Sequence, residues 1–231
     1  MLKRITFCLA VSTIASLPFL MMPELAKAGS HQDRGFPEEI DPSKNYAFYL
    51  HGAGIENKGP SDDNKYYDIL EALEAKGFVV IGEVREAVPM GKSVKKVAKQ
   101  ARRLLNAGVP AGNILISGHS RGGKISMRVS TILRKPKVRY AILASCGVKK
   151  GHTSYNNYQK FLAGRASKMK GVFLSMWEKD DYTVGPCDAA MNLAGVETFE
   201  NKILTVGGGH KLFYKPVPSW INPLVEFALR K

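Results

Sequence analysis

Asn113-Ile114-Leu115-Ile116-Ser117-Gly118-His119-Ser120-Arg121-Gly122-Gly123-Lys124 is the stretch on which the reading of this chain turns. Asn113 to Ser117 is an apolar run that reads as a strand, and Arg121 to Arg134, stopped before Pro136, reads as a helix. Between them lies the pattern G-x-S-x-G. The bare pattern says little in a chain with 22 glycines, but its position at a strand-to-helix turn says much more. Glycines at 118 and 122 permit a tight turn that lifts Ser120 out of the backbone and lets neighbouring chain pack against it.

Outward from this turn, short apolar runs alternate with longer helical patterns. Strands are expected at Tyr46 to Leu50, Phe78 to Val84, Val138 to Ser145, Val172 to Met176 and Lys202 to Val206. Helices are expected at Lys65 to Lys76, Ser93 to Ala107 with Ser93 as its cap, Tyr155 to Met169, Cys187 to Leu193 and Ser219 to Arg230. Continuous apolar strands separated by helices predict an α/β fold: a mostly parallel central sheet of about six strands, with right-handed crossovers and helices on both faces. Residues 45–231 read as one domain, preceded by a polar lead at 29–44. In such a sheet, ligands bind at the carboxyl ends of the strands, so the residues that follow each strand are the ones to examine.

Composition narrows the class. At 231 residues, 45% hydrophobic and three cysteines, the chain is neither a disordered polymer, a multi-span membrane protein nor a disulfide-built miniprotein. Met1-Leu2-Lys3-Arg4, the apolar run Ile5 to Met22 and Leu25-Ala26-Lys27-Ala28 have the form of a secretory signal peptide over residues 1–28. The expectation is a periplasmic or secreted protein without stable membrane insertion. Cys8 would leave with the signal, and Cys146 and Cys187 would remain as an even pair where thiols oxidise, so a disulfide between them is expected.

The full chain carries a formal charge of +14, and without residues 1–28 it still carries +12. Such a balance favours anionic surfaces, polymers or substrates. The densest basic stretch, Lys92, Lys95, Lys96, Lys99, Arg102 and Arg103, is interleaved with Val94, Val97, Ala98, Ala101, Leu104 and Leu105, the pattern of an amphipathic helix with a solvated basic face. No aromatic interleaving accompanies it, and no nucleic-acid partner is expected.

A serine hydroxyl needs a base to act as a nucleophile. Of the five histidines, His210 follows the last apolar strand in Val206-Gly207-Gly208-Gly209-His210, where a glycine loop can deliver an imidazole to the sheet edge. The imidazole needs a carboxylate to fix its tautomer. The strand ending at Met176 runs into Trp177-Glu178-Lys179-Asp180-Asp181, and Asp180 is the first choice, with Asp181 next and Glu178 third. Leu50-His51-Gly52-Ala53-Gly54 follows the first strand as a glycine turn, and the backbone of Ala53 or Gly54 is expected to supply one oxyanion donor, with Arg121 the other. His51, His119 and Arg85 are assigned to substrate contact. With no H-E-x-x-H or C-x-x-C pattern, no metal is expected.

Taken in order, the strand followed by His51-Gly52, the G-x-S-x-G turn, the acidic strand end and the glycine–histidine loop resemble the α/β-hydrolase family. The resemblance runs from Tyr46 to near the end of the chain. It implies a Ser120–Asp180–His210 triad, an eight-stranded or trimmed sheet, and no metal or organic cofactor. Two departures stand out: no early antiparallel strands are visible, and Gly147 to Gly171 leaves room for little more than one helix where a lid would sit. The expected function is an exported serine hydrolase with an open cleft, acting on short acyl esters or thioesters that are small or polymer-borne and of anionic character. The same residues would serve an amidase or acyltransferase, and the same fold would serve a non-catalytic envelope-binding module.

Overall fold

The computed structural model describes residues 32–230. The expected signal segment at 1–28, with Cys8, lies outside the described residues. In chain order the elements are β1 (Asn45–Leu50), α1 (Ala53–Lys58), α2 (Tyr66–Glu74), β2 (Phe78–Ile81), α3 (Met90–Asn106), β3 (Ile114–His119), α4 (Arg121–Leu133), β4 (Arg139–Leu143) and β5 (Cys146–Gly147). They continue with α5 (Thr153–Gly164), β6 (Val172–Glu178), β7 (Val184–Gly185), α6 (Asp188–Ala194), β8 (Phe199–Leu204) and α7 (Pro218–Leu229).

Six strands form one sheet in the order β2-β1-β3-β4-β6-β8, and every pairing is parallel. β5 and β7 form a separate two-residue antiparallel ladder. Side chains alternate across the sheet. Tyr46, Phe48, Ile114, Ile116, Tyr140 and Ile142 pack with residues of α3, α4, α5 and α6 in one core layer. Ala47, Tyr49, Leu115, Ala141, Leu143 and Leu174 pack with residues of α1, α2 and α7 in the other. Burial on both faces is why these strands are written as unbroken apolar runs. The edge strand β8 differs: Asn201, Lys202 and Ile203 are exposed, and charge along an open edge discourages pairing with another chain.

Several boundaries depart from the sequence-based expectation. α3 begins at Met90, directly after Pro89, whose ring sets φ near −52° and marks the boundary. Ser93 is therefore not the cap; it is buried inside the helix. β2 ends at Ile81 rather than Val84, because Gly82 turns its backbone to Arg34 of the lead and the two exchange hydrogen bonds of 2.7 and 2.8 Å. α1 replaces the expected glycine turn; with Ile55 its only buried residue, it leaves no periodic signal. Beyond Gly147 at the end of β5, the segment 147–171 contributes only α5, a short 3-10 turn at Ala166–Lys168 and the connecting chain. Tyr158 and Phe161 fix α5 in the core layer.

Candidate active site

The carboxyl ends of β1, β3 and β6 and the loop after β8 bring the expected residues to one rim of the sheet. β3 is wholly buried and delivers Ser120 at its end with φ 55° and ψ −113°, a conformation that L-residues rarely adopt. The Ser120 N–H donates to Leu143 O at the end of β4 (2.8 Å). A Cβ on Gly122 would sit 1.8 Å from Leu50 O, and one on Gly118 would sit 2.5 Å from the Gly122 backbone, so both positions require glycine for close approach. The Gly52 loop lies against the turn: a Cβ at 52 would be 3.1 Å from His119 Nδ1 and 3.4 Å from Ser120 Cβ. Ala53 opens α1 and Arg121 opens α4, so the backbone N–H groups of Ala53, Gly54 and Arg121 belong to first helical turns, which lack intrahelical partners.

On the histidine side, His210 Nδ1 lies 2.5 Å from Asp181 Oδ2. Asp181 Oδ1 also accepts the Thr183 N–H (3.1 Å) and hydroxyl (2.7 Å). Burial pushes the Asp181 carboxyl upward, but the hydrogen bonds from His210 and Thr183 outweigh it and hold the group below its ordinary value. The expectation of Asp180 as the partner is corrected: Asp180 is exposed, whereas the backbone turn that brings the Asp181 N–H to Glu178 O (3.0 Å) buries the next side chain beneath the ring.

Glu178, third among the acids considered, has another job. It is fully buried, and its carboxylate accepts three backbone N–H groups: Asp180 (2.7 Å), Gly207 (3.1 Å) and Gly209 (3.2 Å). One side chain thereby ties the loop that carries Asp181 to the loop that carries His210.

His119 stands between the two halves. Its ring centre is 4.6 Å from that of His210, 5.6 Å from Phe213 and 5.5 Å from Tyr214. Burial first, and the neighbouring His210 second, hold its imidazole well below the usual range, so it is a neutral packing ring. No hydrogen bond joins Ser120 to His210 among the described residues; such contacts commonly tighten only when substrate arrives.

Of the residues assigned to substrate contact, His51 and His119 are buried, and Arg85, although ion-paired, is among the residues that line the cavity described below. His51 is buried, its Nε2 accepts the Arg85 N–H (2.7 Å), and its Nδ1 is 2.9 Å from Gly52 O. Burial and then the Arg85 charge push its pKa down to about 3. The Arg85 side chain is only 10% exposed and is paired with Glu56 Oε1 (3.0 Å). Glu56 also holds Arg121, Nε to Oε2 at 2.8 Å. A buried guanidinium needs a carboxylate, and the sequence reading overlooked Glu56 because it lies in the unrecognised α1. Its signal was a single acid, four residues beyond Gly52, with two singled-out arginines elsewhere in the chain. Beside this ion cluster, a cavity of about 440 Å³ opens between β2 and α3, with Leu50, Ile81, Val84, Val88 and Val97 among its lining residues. The Cys146–Cys187 bond, with Cα atoms 5.4 Å apart, joins β5 to the start of α6.

Compared with solved structures, the chain is similar to a candidate dienelactone hydrolase from Klebsiella pneumoniae subsp. pneumoniae (14% identity, TM-score 0.57, covering 84% of this chain and 90% of that one). It is also similar to an esterase/lipase from an uncultured bacterium (14%, TM-score 0.52, 80% and 75%) and to an esterase of Pyrobaculum calidifontis (13%, TM-score 0.53, 84% and 77%). The fold is that of the α/β-hydrolases. No protein-family model and no curated protein sequence matches the chain. Within the α/β-hydrolase fold this molecule is a trimmed version, a six-stranded, all-parallel sheet. Its rim carries the serine turn, the acid loop and the histidine loop in the order the fold uses.

Proposed function

We propose that the chain is an exported serine hydrolase that cleaves carboxylic esters or thioesters through an acyl-enzyme, with Ser120 as nucleophile, His210 as base and Asp181 as the orienting acid. The observation that carries this reading is the His210–Asp181 pair, set beside a strained Ser120 on the same rim. The hydrolase and esterase names of the structural neighbours support it at the level of reaction class. The leader-like segment at 1–28 and the Cys146–Cys187 bond support export.

In this mechanism Ser120 Oγ attacks the carbonyl carbon while His210 Nε2 takes its proton. Asp181 keeps the other proton on Nδ1 and stabilises the imidazolium. The developing oxyanion is met by backbone N–H groups from Ala53 or Gly54 and from Arg121. His210 returns its proton to the leaving oxygen or sulfur, and water repeats the sequence on the acyl-enzyme. The cavity between β2 and α3 receives one apolar arm of the ester. Labelling with a fluorophosphonate tests the reading: the folded chain takes up one label at Ser120, and Ser120→Ala takes up none. A folded wild-type protein that stays unlabelled sinks it.

A further inference from the structure

Charge is unevenly distributed over the helices. α3, α4 and α5, on one face of the sheet, contain no aspartate or glutamate, and α6 on that face has only Asp188, whereas α2 on the other carries Asp68, Glu71 and Glu74, and α7 carries Glu226. Within the basic face, residues three or four apart share a helical stripe. Lys95, Lys99 and Arg102 form one such stripe on α3; Arg121, Lys124 and Arg128 form another on α4.

Two hydrogen bonds set these stripes side by side. Arg121 Nη2 donates to Val88 O just before α3 (3.0 Å), and Arg102 Nη2 donates to Ile132 O near the end of α4 (3.2 Å). The helices therefore run abreast in the same direction, with α3's Arg102 edge turned to α4. At 1.5 Å per residue the paired stripes extend about 16 Å from Arg121 to the level of Ile132. Arg121 pairs with Glu56, but no carboxylate pairs with Lys124 or Arg128 among the described residues. Arg128 instead donates to Lys124 O and lies over the Phe161 ring. Burial first, then Arg128 and Arg121, hold the Lys124 ammonium below its ordinary value; burial, then Arg165 and Arg121, do the same to Arg128. Half-buried like charges packed together without a counterion are unfavourable for an ordinary solvated surface.

We infer that the outer surface of α3 and α4 is a binding track for a linear polyanion, a polymer bearing phosphate groups along an extended backbone, which supplies the missing counter-charge. Two parallel cationic rows fit a chain better than a plane. The exposed large apolar residues, Val148, Tyr182, Leu193, Ile203, Val206 and Leu229, all lie outside α3 and α4, so these two helices offer no such residue for insertion into a bilayer. Neither helix contains an aromatic residue on which a base could stack. The track ends at Arg121, the residue after Ser120, so an acyl group carried by such a polymer would reach the nucleophile. That last link rests on the hydrolase reading; the binding itself does not.

The test titrates the purified chain with long-chain inorganic polyphosphate across salt concentrations, comparing the Lys95→Gln/Lys99→Gln/Lys124→Gln/Arg128→Gln variant with a charge-matched Lys76→Gln/Lys137→Gln/Lys170→Gln/Lys202→Gln variant. The track variant should bind at least about tenfold more weakly at about 50 mM salt and lose about 3 from the slope of log K against log salt, whereas the control changes less than about threefold. Should the quadruple variant fail to fold, Lys95→Gln/Lys99→Gln, both exposed in the wild type, should lose about half of that slope. Equal losses in the two quadruple variants overturn the track, as does tighter binding to phosphatidylglycerol vesicles or to single-stranded DNA at equal charge. Ser120→Ala should bind polyphosphate like the wild type, so failure of the hydrolase reading leaves this measurement intact.

Discussion

Asp180 and Asp181 are the same side chain one residue apart, and they differ by their surroundings. Only Asp181 is buried, bonded to His210 and braced by Thr183. Asp181→Asn should lower kcat about 10⁴-fold because the amide favours the wrong imidazole tautomer, whereas Asp180→Asn should stay within about threefold of wild type. Comparable losses in both variants, measured on a small chromogenic ester, would contradict the pairing. His51 makes a different prediction. It stays neutral in the folded chain down to about 3, while an unfolded chain protonates it near 6.5. Its folded pKa is depressed, so between those values the unfolded state binds more protons and stability falls as pH falls, by about 1.4 kcal/mol per pH unit. His51→Gln, whose carbonyl can still accept the Arg85 N–H, should flatten the pH dependence of guanidinium unfolding by that amount; an unchanged slope would show that His51 protonates in the native state.

Among the elements, the two loops that end β6 and follow β8 act as one unit because Glu178 bonds to both. Glu178→Gln keeps the volume but turns one acceptor oxygen into a donor facing backbone N–H. The displaced His210 loop should cost about tenfold to a hundredfold in kcat with little change in KM. If kcat is unaffected, the brace is purely structural. This level also shows what could be read from sequence. The order of strands and helices was legible because strands buried on both faces leave unbroken apolar runs and amphipathic helices leave a period of 3.6. The serine turn was legible because glycines flank it in a strand–turn–helix context. The choice between Asp180 and Asp181 was not, because it depends on the phase of a single turn. Glu56 and α1 were hidden for a related reason: a six-residue helix with one buried apolar residue has no period.

At the scale of the whole molecule, the Cys146–Cys187 bond closes a loop with a sequence separation of 41, which restricts the unfolded chain. The loop-entropy relation gives about 4 kcal/mol, equivalent to a Tm shift of about 10 °C for a protein of this size. Thermal unfolding with and without reductant measures it. A Tm that does not move on full reduction would mean that the thiol form is equally well packed. The bond joins the two-stranded ladder to the start of α6, so reduction should loosen the region of α5 and α6 first.

The backbone of Ser120 carries one more implication. Holding a side-chain-bearing residue at φ 55° and ψ −113° costs about 1–3 kcal/mol, a cost that glycine does not bear. Ser120→Gly should therefore yield an inert protein that melts higher than both the wild type and Ser120→Ala. Under the proposed mechanism the chain gives up native-state stability at Ser120 to present a reactive hydroxyl, and calorimetry of these three proteins would weigh that exchange directly.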